Sequence, residues 1–341
     1  MKKLNAKRLA ALAMTLVMLL GVLTACGDKA DTNNGSGDGE GFPTMTIQIA
    51  HVNPTTDDDQ YNKLATLFAE KVTAATDGAV TFEICGNSEL GGEADVLTGF
   101  DLGTHQMGII TNGSYGNLYG PSLVVELPFI FKDNETAWNF LDGDIMKEVT
   151  DGLYDTLGYK VLAWGEGGFR NILSPADLKG MKIRVPGMEM FMATFQTIGA
   201  APSALDFNET FTAVQQHLMD GLELPIASAY TGSYYEICDY YDMTGHFYNA
   251  ISLSCSKSFW ESLSPELQEI FLTAAKEAGA EQRTWLQTAA ADMLSKMEDG
   301  GCTIIDDVDV AAFQEACAPV YEAYRDKIGS DLLDRAVAAV Q

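Results

Sequence analysis

Basic residues are scarce in this chain. Only 21 Lys and Arg stand against 48 Asp and Glu, a formal net charge of −27 over 341 residues. That scarcity excludes a general nucleic-acid binder, whose affinity rests on cations neutralising phosphates. It also excludes a polybasic membrane-surface protein. Histidine is rarer still: His51, His105, His217 and His246 are the full set. None stands at metal-ligand spacing with another His or Cys, so no metal site is expected. A P-loop, an HExxH helix, a GxGxxG turn after a strand and a GxSxG elbow are all missing. Ser114, within Asn-Gly-Ser-Tyr-Gly, misses the elbow spacing. The common enzyme and cofactor-binding signatures are thus absent. The run Asp57-Asp58-Asp59 lacks the alternating oxygen ligands and closing Glu of a calcium loop, and reads as a solvated acidic loop.

What is present begins with an address. Lys2, Lys3, Lys7 and Arg8 precede 17 uncharged residues, 9–25. A basic flank before an apolar run at the extreme N-terminus reads as a secretory signal over residues 1–25. The run ends in Leu23-Thr24-Ala25-Cys26, which is similar to a bacterial lipoprotein cleavage box. That resemblance implies Cys26 as the lipid-modified N-terminus, and two or more acyl chains give a stable anchor. The alternative is an uncleaved anchor helix. Residues 26–44, rich in Gly, Asp and Asn, read as a flexible tether. Cleavage leaves 17 basic against 48 acidic residues, a net −31. The five remaining cysteines, Cys85, Cys238, Cys255, Cys302 and Cys317, are odd in number and widely spaced. Buried free thiols are expected, with one disulfide as the alternative that export leaves open.

With 47% hydrophobic residues the chain can bury a large core, and its length predicts two domains. Strand and helix patterns alternate, which predicts an α/β fold. Strands are expected at residues 45–50, 80–84, 106–110, 159–164, 181–185 and 251–255. Tyr61, Leu64, Ala65, Phe68 and Val72 recur at helical spacing. Residues 94–102, 137–149 and 188–198 also read as helices. Residues 123–131 are apolar around Pro128 and read as an edge or bent segment. Asp206-x-x-Glu209 has the form of a capping box, with Phe211, Val214 and Leu218 as the buried stripe behind it. Ser264-Pro265-Glu266 opens a helix of roughly 35 residues, long enough to span two lobes at 1.5 Å per residue and with a kink expected near Gly279. Two further helices, 310–327 and 331–340, close the chain.

The arginines are unevenly placed. Between residues 185 and 256 there is no Lys or Arg, against eight acids. Arg184 ends an apolar strand, where open α/β folds place ligand sites. Its guanidinium fork suits a carboxylate, but a structural salt bridge fits these facts equally.

Several ordered segments resemble one family. They are Ala-Asp-Leu-Lys-Gly-Met-Lys-Ile-Arg-Val-Pro at 176–186, Gly199-Ala200 before Asp-Phe-Asn-Glu-Thr-Phe at 206–211, and Met-Asp-Gly-Leu-Glu-Leu-Pro at 219–225. Thr244-Gly245-His246 follows, and residues 49–54, 89–93 and 127–129 fit the N-terminal half. Their order and spacing, over residues 45–300, resemble the DctP-type solute receptors of TRAP (tripartite ATP-independent periplasmic) transporters. The resemblance implies an α/β, two-lobed, periplasmic-binding-protein-like fold with hinge strands and one long helix across both lobes. Lobe I is expected to be residues 45–167 plus 250–289, and lobe II residues 168–249 plus 290–341. It implies no catalysis, but capture of a small organic-acid ligand between the lobes and delivery to TRAP membrane permease subunits. Localisation is then extracytoplasmic, with the membrane reached through the lipid anchor.

Residue by residue, Arg184 matches the family's carboxylate clamp. Glu223 and His246 match partners that hold that arginine, Arg170 a second arginine on the ligand's anionic end, and Phe207 an aromatic wall. Tyr230, with Tyr234 and Tyr235, stands nearby as pocket lining, core or surface. Leu224 and Gly187 stand where members often carry Asn, which removes two amides that a highly hydroxylated ligand would use. The rival readings are an ABC-importer receptor, an anchored hydrolase and an adhesive surface protein.

Overall fold

A computed structural model describes residues 41–174 and 178–341. The signal, Cys26 and most of the tether lie outside the described residues, as do Ala176 and Asp177 of the Arg-Val-Pro motif. The elements run β1 (Met45–Ala50), α1 (Gln60–Ala75), β2 (Val80–Cys85), α2 (Glu93–Leu102), β3 (Met107–Thr111), α3 (Asn112–Gly116), a 3₁₀ turn (Gly120–Glu126), α4 (Asn134–Leu141) and α5 (Asp144–Leu157). Then come β4 (Tyr159–Leu173), β5 (Lys182–Val185), α6 (Glu189–Thr197), β6 (Ala201–Ala204), α7 (Phe207–Gln215), β7 (Gly221–Pro225), α8 (Ile226–Thr231) and β8 (Tyr240–Ser256). The chain ends with α9 (Lys257–Ser262), α10 (Pro265–Asp299), β9 (Thr303–Ile305), α11 (Val310–Ile328) and α12 (Ser330–Val340).

The strands form one sheet in the order β2-β1-β3-β8-β4-β7-β5-β6, with β9 added to β8. Its two ends are the sheets of two lobes. Parallel β1, β2 and β3 build one, and parallel β5, β6 and β7 the other. Antiparallel β4 and β8 run side by side through the middle and belong to both. Both strands are about three times longer than the sequence pattern indicated. The register of β4 against β8 shifts at 161/163, 166/168 and 170/172. Each bulge bends the strand and raises its twist, which ends the clean alternation on which strand recognition depends. Gly168 sits at the middle shift with φ +91°, a conformation glycine adopts freely.

The long helix has the start and the length expected of it. Ser264 caps it through Leu267 N, Pro265 fills the first turn, and α10 runs 35 residues. It packs against α1, β4 and α8, so it touches both lobes. Gly279 is where it meets the hinge: a Cβ there would stand 2.6 Å from the Trp164 carbonyl oxygen. The glycine therefore serves close approach of helix to strand. Gln282, one turn on, fastens the same place by bonds to Glu166 N (2.9 Å) and Glu166 O (2.7 Å).

Three local expectations need correction, and for a fourth the structure selects one of two alternatives. Residues 123–131 form the bent segment and not an edge strand. Pro121 opens a 3₁₀ turn instead, and Leu123, Val124, Val125, Leu127, Ile130 and Phe131 are all buried, so no strand alternation exists to detect. The helix expected at 137–149 is broken by Asp142-Gly143 into α4 and α5. Leu218 lies beyond the end of α7 and is exposed. Within the acidic run Asp59 is buried, because it caps α1 by accepting from Tyr61 N and Asn62 N. The five cysteines are buried and free.

Candidate functional site

A cavity of about 300 Å³ lies where the two halves of the sheet face each other. One wall comes from the β1–β3 half and carries Asn53, Tyr61, Glu93, Thr111, Ser114 and Asn117. The other carries Arg170, Arg184, Gly187, Asp206, Phe207 and Leu224. The volume suits one small organic molecule.

The two arginines are held differently. Arg170, on β4, is tied on every side. Its Nε and Nη2 form a forked ion pair with the Glu223 carboxylate, Nη2 also reaches Glu223 O at 3.1 Å, and Nη1 donates to Asn249 Oδ1 at 3.2 Å. Its guanidinium carbon also lies 5.2 Å from the Phe191 ring centre. Burial alone would raise the Glu223 carboxyl, but the Arg170 charge and His246 bring it below its ordinary value. Arg184, on β5, is 2% exposed and has no carboxylate within ion-pair distance among the described residues. Its Nε and Nη2 donate to a single carbonyl, Leu205 O, at 3.0 and 2.7 Å. Burial without a counter-ion pulls its pKa down to about 10, against the raising field of Glu223. A buried cation lacking a partner is costly unless something supplies an anion.

Glu223 therefore holds Arg170 and not Arg184, contrary to expectation. Strand register explains it. Arg170 stands opposite Pro225 on β7, and Glu223 shares that face of the sheet. Arg184 stands opposite Leu222, which puts its side chain on the other face. His246, on β8, is buried behind the pair. Its Nε2 is 3.6 Å from Glu223 Oε2 and its Nδ1 is 2.7 Å from Thr244 Oγ1. Burial lowers its pKa, and the neighbouring Glu223 carboxylate opposes that shift. Neither Glu223 nor His246 lines the cavity; both stand behind its wall.

Phe207 lines the cavity, its ring 6.0 Å from Tyr234. Tyr230 does not. It stacks on Tyr235 at 5.9 Å, under the Lys296 ammonium, and faces a separate surface hollow with Asp57, Asp58 and Trp285. Tyr234 is core. The amphipathic turn of α8 turns one tyrosine outward, a direction that abundance alone does not reveal.

Three cleft residues escaped the sequence reading. Glu93 ends the 89–93 segment; it accepts from Thr111 N, Thr111 Oγ1 and Ser114 Oγ. Asp206 was read as a helix cap. It occupies the N-cap position of α7, yet its carboxylate makes no capping bond and faces the cavity instead. Asn117 reaches across the cleft, donating to Gly187 O at 2.7 Å and accepting from Glu189 N at 3.2 Å. An amide thus meets Gly187 from the opposite wall.

Behind this site Glu126 is buried, and burial pushes its carboxyl up to about 7. Asn112 Nδ2 donates to Oε1 at 2.9 Å, and Oε2 has no partner among the described residues. A carboxyl whose folded pKa is raised contributes stability that is full below its unfolded value and lost as pH rises through the folded one. Glu166, also raised to about 7, acts in the same direction. From about pH 4.5, the unfolded carboxyl value, up to the folded value of about 7, these two carboxyls are expected to lower the melting temperature. Glu126→Gln should flatten that slope, as calorimetry across the range would read.

The fold and cleft define a class: a two-lobed solute-binding protein with hinge strands at the base of its cleft. The sequence matches the family described as bacterial extracellular solute-binding protein, family 7 (DctP), over residues 49–327. The chain belongs to that family, the solute receptors of TRAP transporters, which are binding proteins and not enzymes. A solute-binding protein of Roseobacter denitrificans is 31% identical over 278 residues, covering 80% of this chain and 84% of that protein. A TRAP periplasmic solute-binding protein of Polaromonas sp. JS666, solved bound to D-erythronate, superposes with a TM-score of 0.82 at 28% identity, covering 86% of this chain and 98% of its own. Another, from Sulfurospirillum deleyianum with bound succinate, gives 0.81 at 27%, covering 88% and 100%.

Proposed function

We propose that this chain captures an organic acid by its carboxylate in the interlobe cleft and hands it to the membrane permease of a TRAP transporter. The observation that carries the reading is Arg184: a buried guanidinium, lining the cavity, without a carboxylate partner among the described residues. A ligand carboxylate supplies the missing charge and accepts the forked donors. Phe207 forms an apolar wall, and Arg170, locked by Glu223 with His246 behind, gives the cleft a rigid base. The relatives solved with D-erythronate and with succinate agree with an acid ligand. Lobe closure would remove water from the pair and strengthen it. Isothermal titration with a panel of organic acids tests the reading. It is overturned if no acid binds.

We also propose the lobe division of residues 45–167 plus 250–289 against 168–249 plus 290–341, with α11 and α12 as a brace across it. For the brace, α11 touches α6 of the second lobe and the 3₁₀ turn of the first, while α12 touches α4, α5 and the 3₁₀ turn of the first, so the C-terminal helices pack back across the division. The same reading includes a lipid anchor at Cys26, supported by the basic flank, the apolar run and the Leu-Thr-Ala-Cys box. Cys26→Ser is expected to shift the protein from the membrane fraction to the soluble fraction; an unchanged distribution would contradict the anchor.

A further inference from the structure

Asp59 uses its two carboxylate oxygens differently. Oδ1 caps α1, accepting from Tyr61 N at 2.8 Å and Asn62 N at 3.1 Å. Oδ2 accepts from Asn53 Nδ2 at 2.8 Å and from Thr231 Oγ1 at 3.1 Å. The Thr231 hydroxyl shares its proton with Ala227 O, at 2.9 Å. Thr231 ends α8, which follows β7 without a linker, so the contact crosses from the β1–β3 half of the sheet to the β5–β7 half. Ser228 lies three residues earlier on the same face of α8. Its Oγ accepts from Gln60 Nε2 at 2.7 Å and from Asn53 Nδ2 at 3.1 Å, two further crossings. Asn53, Asp59, Gln60 and Ser228 are each at most 3% exposed. Asn117 also crosses, to Gly187 O and Glu189 N, but it is exposed and water competes for those bonds.

We propose that this buried cluster is a latch that holds the two lobes closed, and that Thr231 and Ser228 set ligand affinity by setting the closed fraction. The inference rests on the reading that a ligand is captured between the lobes. Asp59, Gln60 and Thr231 do not line the cavity, so most of the latch acts without touching a ligand. When α8 moves away with its half of the sheet, water takes the place of each partner. That exchange is nearly even while both partners are present. Removing one leaves the other buried and unsatisfied in the closed form alone. Gln60 shows the sensitivity. Its Oε1 has no partner among the described residues, so the bond from Nε2 to Ser228 is what offsets burial of its amide there. A ligand that binds the closed form has its apparent affinity scaled by the closed fraction, whatever its chemistry.

The test reads lobe separation by spin-label distances in a Cys26→Ser chain, with nitroxides on Leu102→Cys and Asn208→Cys. Both positions are exposed, at the end of α2 and on α7, and the other five cysteines are buried. Without any acid, Thr231→Val and Ser228→Ala should each lower the ratio of short to long separation at least fivefold. Thr231→Ser keeps the hydroxyl and should hold the ratio of the native sequence. Calorimetric titration with D-erythronate and with succinate follows on Thr231→Val. Whichever acid binds should weaken by the same factor as the closed fraction falls. The latch is overturned if the native sequence shows no short separation without acid, or if both variants leave the ratio unchanged. An equal shift in Thr231→Ser, or a loss that differs between the two acids, overturns it as well. Shifted separations with no binding of either acid support the latch and count against the ligand reading instead.

Discussion

Arg184→Ala is expected to weaken ligand binding by at least 100-fold, about 3 kcal/mol or more, the range for truncating one side of a buried hydrogen-bonded charge pair. Titration calorimetry reads it directly. The free protein should respond in the opposite sense. Because no carboxylate among the described residues is paired with Arg184, its removal strands no charge there. Arg184→Met fills the space with apolar atoms and frees only Leu205 O, a loss of about 1 kcal/mol. Against that stands relief of an uncompensated buried cation, so the melting temperature of the unliganded protein should hold or rise. Arg184→Lys keeps the charge but loses the fork, and should bind with intermediate affinity.

Glu223→Ala is expected to do the reverse. It strands Arg170, which is 5% exposed and pairs with that carboxylate through two nitrogens. Removing one partner of a buried pair costs about 3–5 kcal/mol. In a domain this large that is a fall of roughly 10 °C in melting temperature. The double variant Arg170→Met/Glu223→Leu should recover much of the loss, since a well-packed apolar pair can replace a buried ion pair at little cost. The pH dependence carries the same sign logic. The folded pKa of Glu223 is lowered, so its contribution is present above the unfolded value near 4.5 and is lost as pH falls through the lower folded value. Glu223→Ala should remove that part of the acid-induced loss. Two arginines in one cleft, with opposite effects on stability, separate a binding group from a structural one.

Most of the architecture was legible in the sequence for physical reasons. The alternating pattern at 45–50 and the 3.6-residue stripe from Tyr61 to Val72 each record one buried face, and β1 and α1 fall there. The Ser-Pro-Glu start of α10 carries its own capping chemistry. The hinge strands were half visible, because β8 is buried on both sides over most of its length and β4 is bulged. Neither shows a simple period. Short elements such as α3 and α8 contain Gly, Ser and Thr, and exist because tertiary packing holds them.

The site divided along the same line. Arg184 stood out because an apolar strand ended in an arginine within an otherwise acidic region. Its family resemblance supplied a role that spacing alone left open. Which carboxylate paired with which arginine depended on strand register across β4, β7 and β5, a relation between distant segments. Asp206 shows the limit most plainly. Its sequence context satisfies a capping box in full, and the side chain faces the cleft all the same.

The most direct test is a melting screen of the mature protein against monocarboxylic, polyhydroxy and dicarboxylic acids, run in parallel on Arg184→Ala. A ligand at 1,000 times its dissociation constant stabilises the native state by about 4.1 kcal/mol. At least one acid should raise the melting temperature of the native sequence by several degrees and leave Arg184→Ala unmoved. No shift with any acid, or an equal shift in the variant, would contradict carboxylate capture at Arg184.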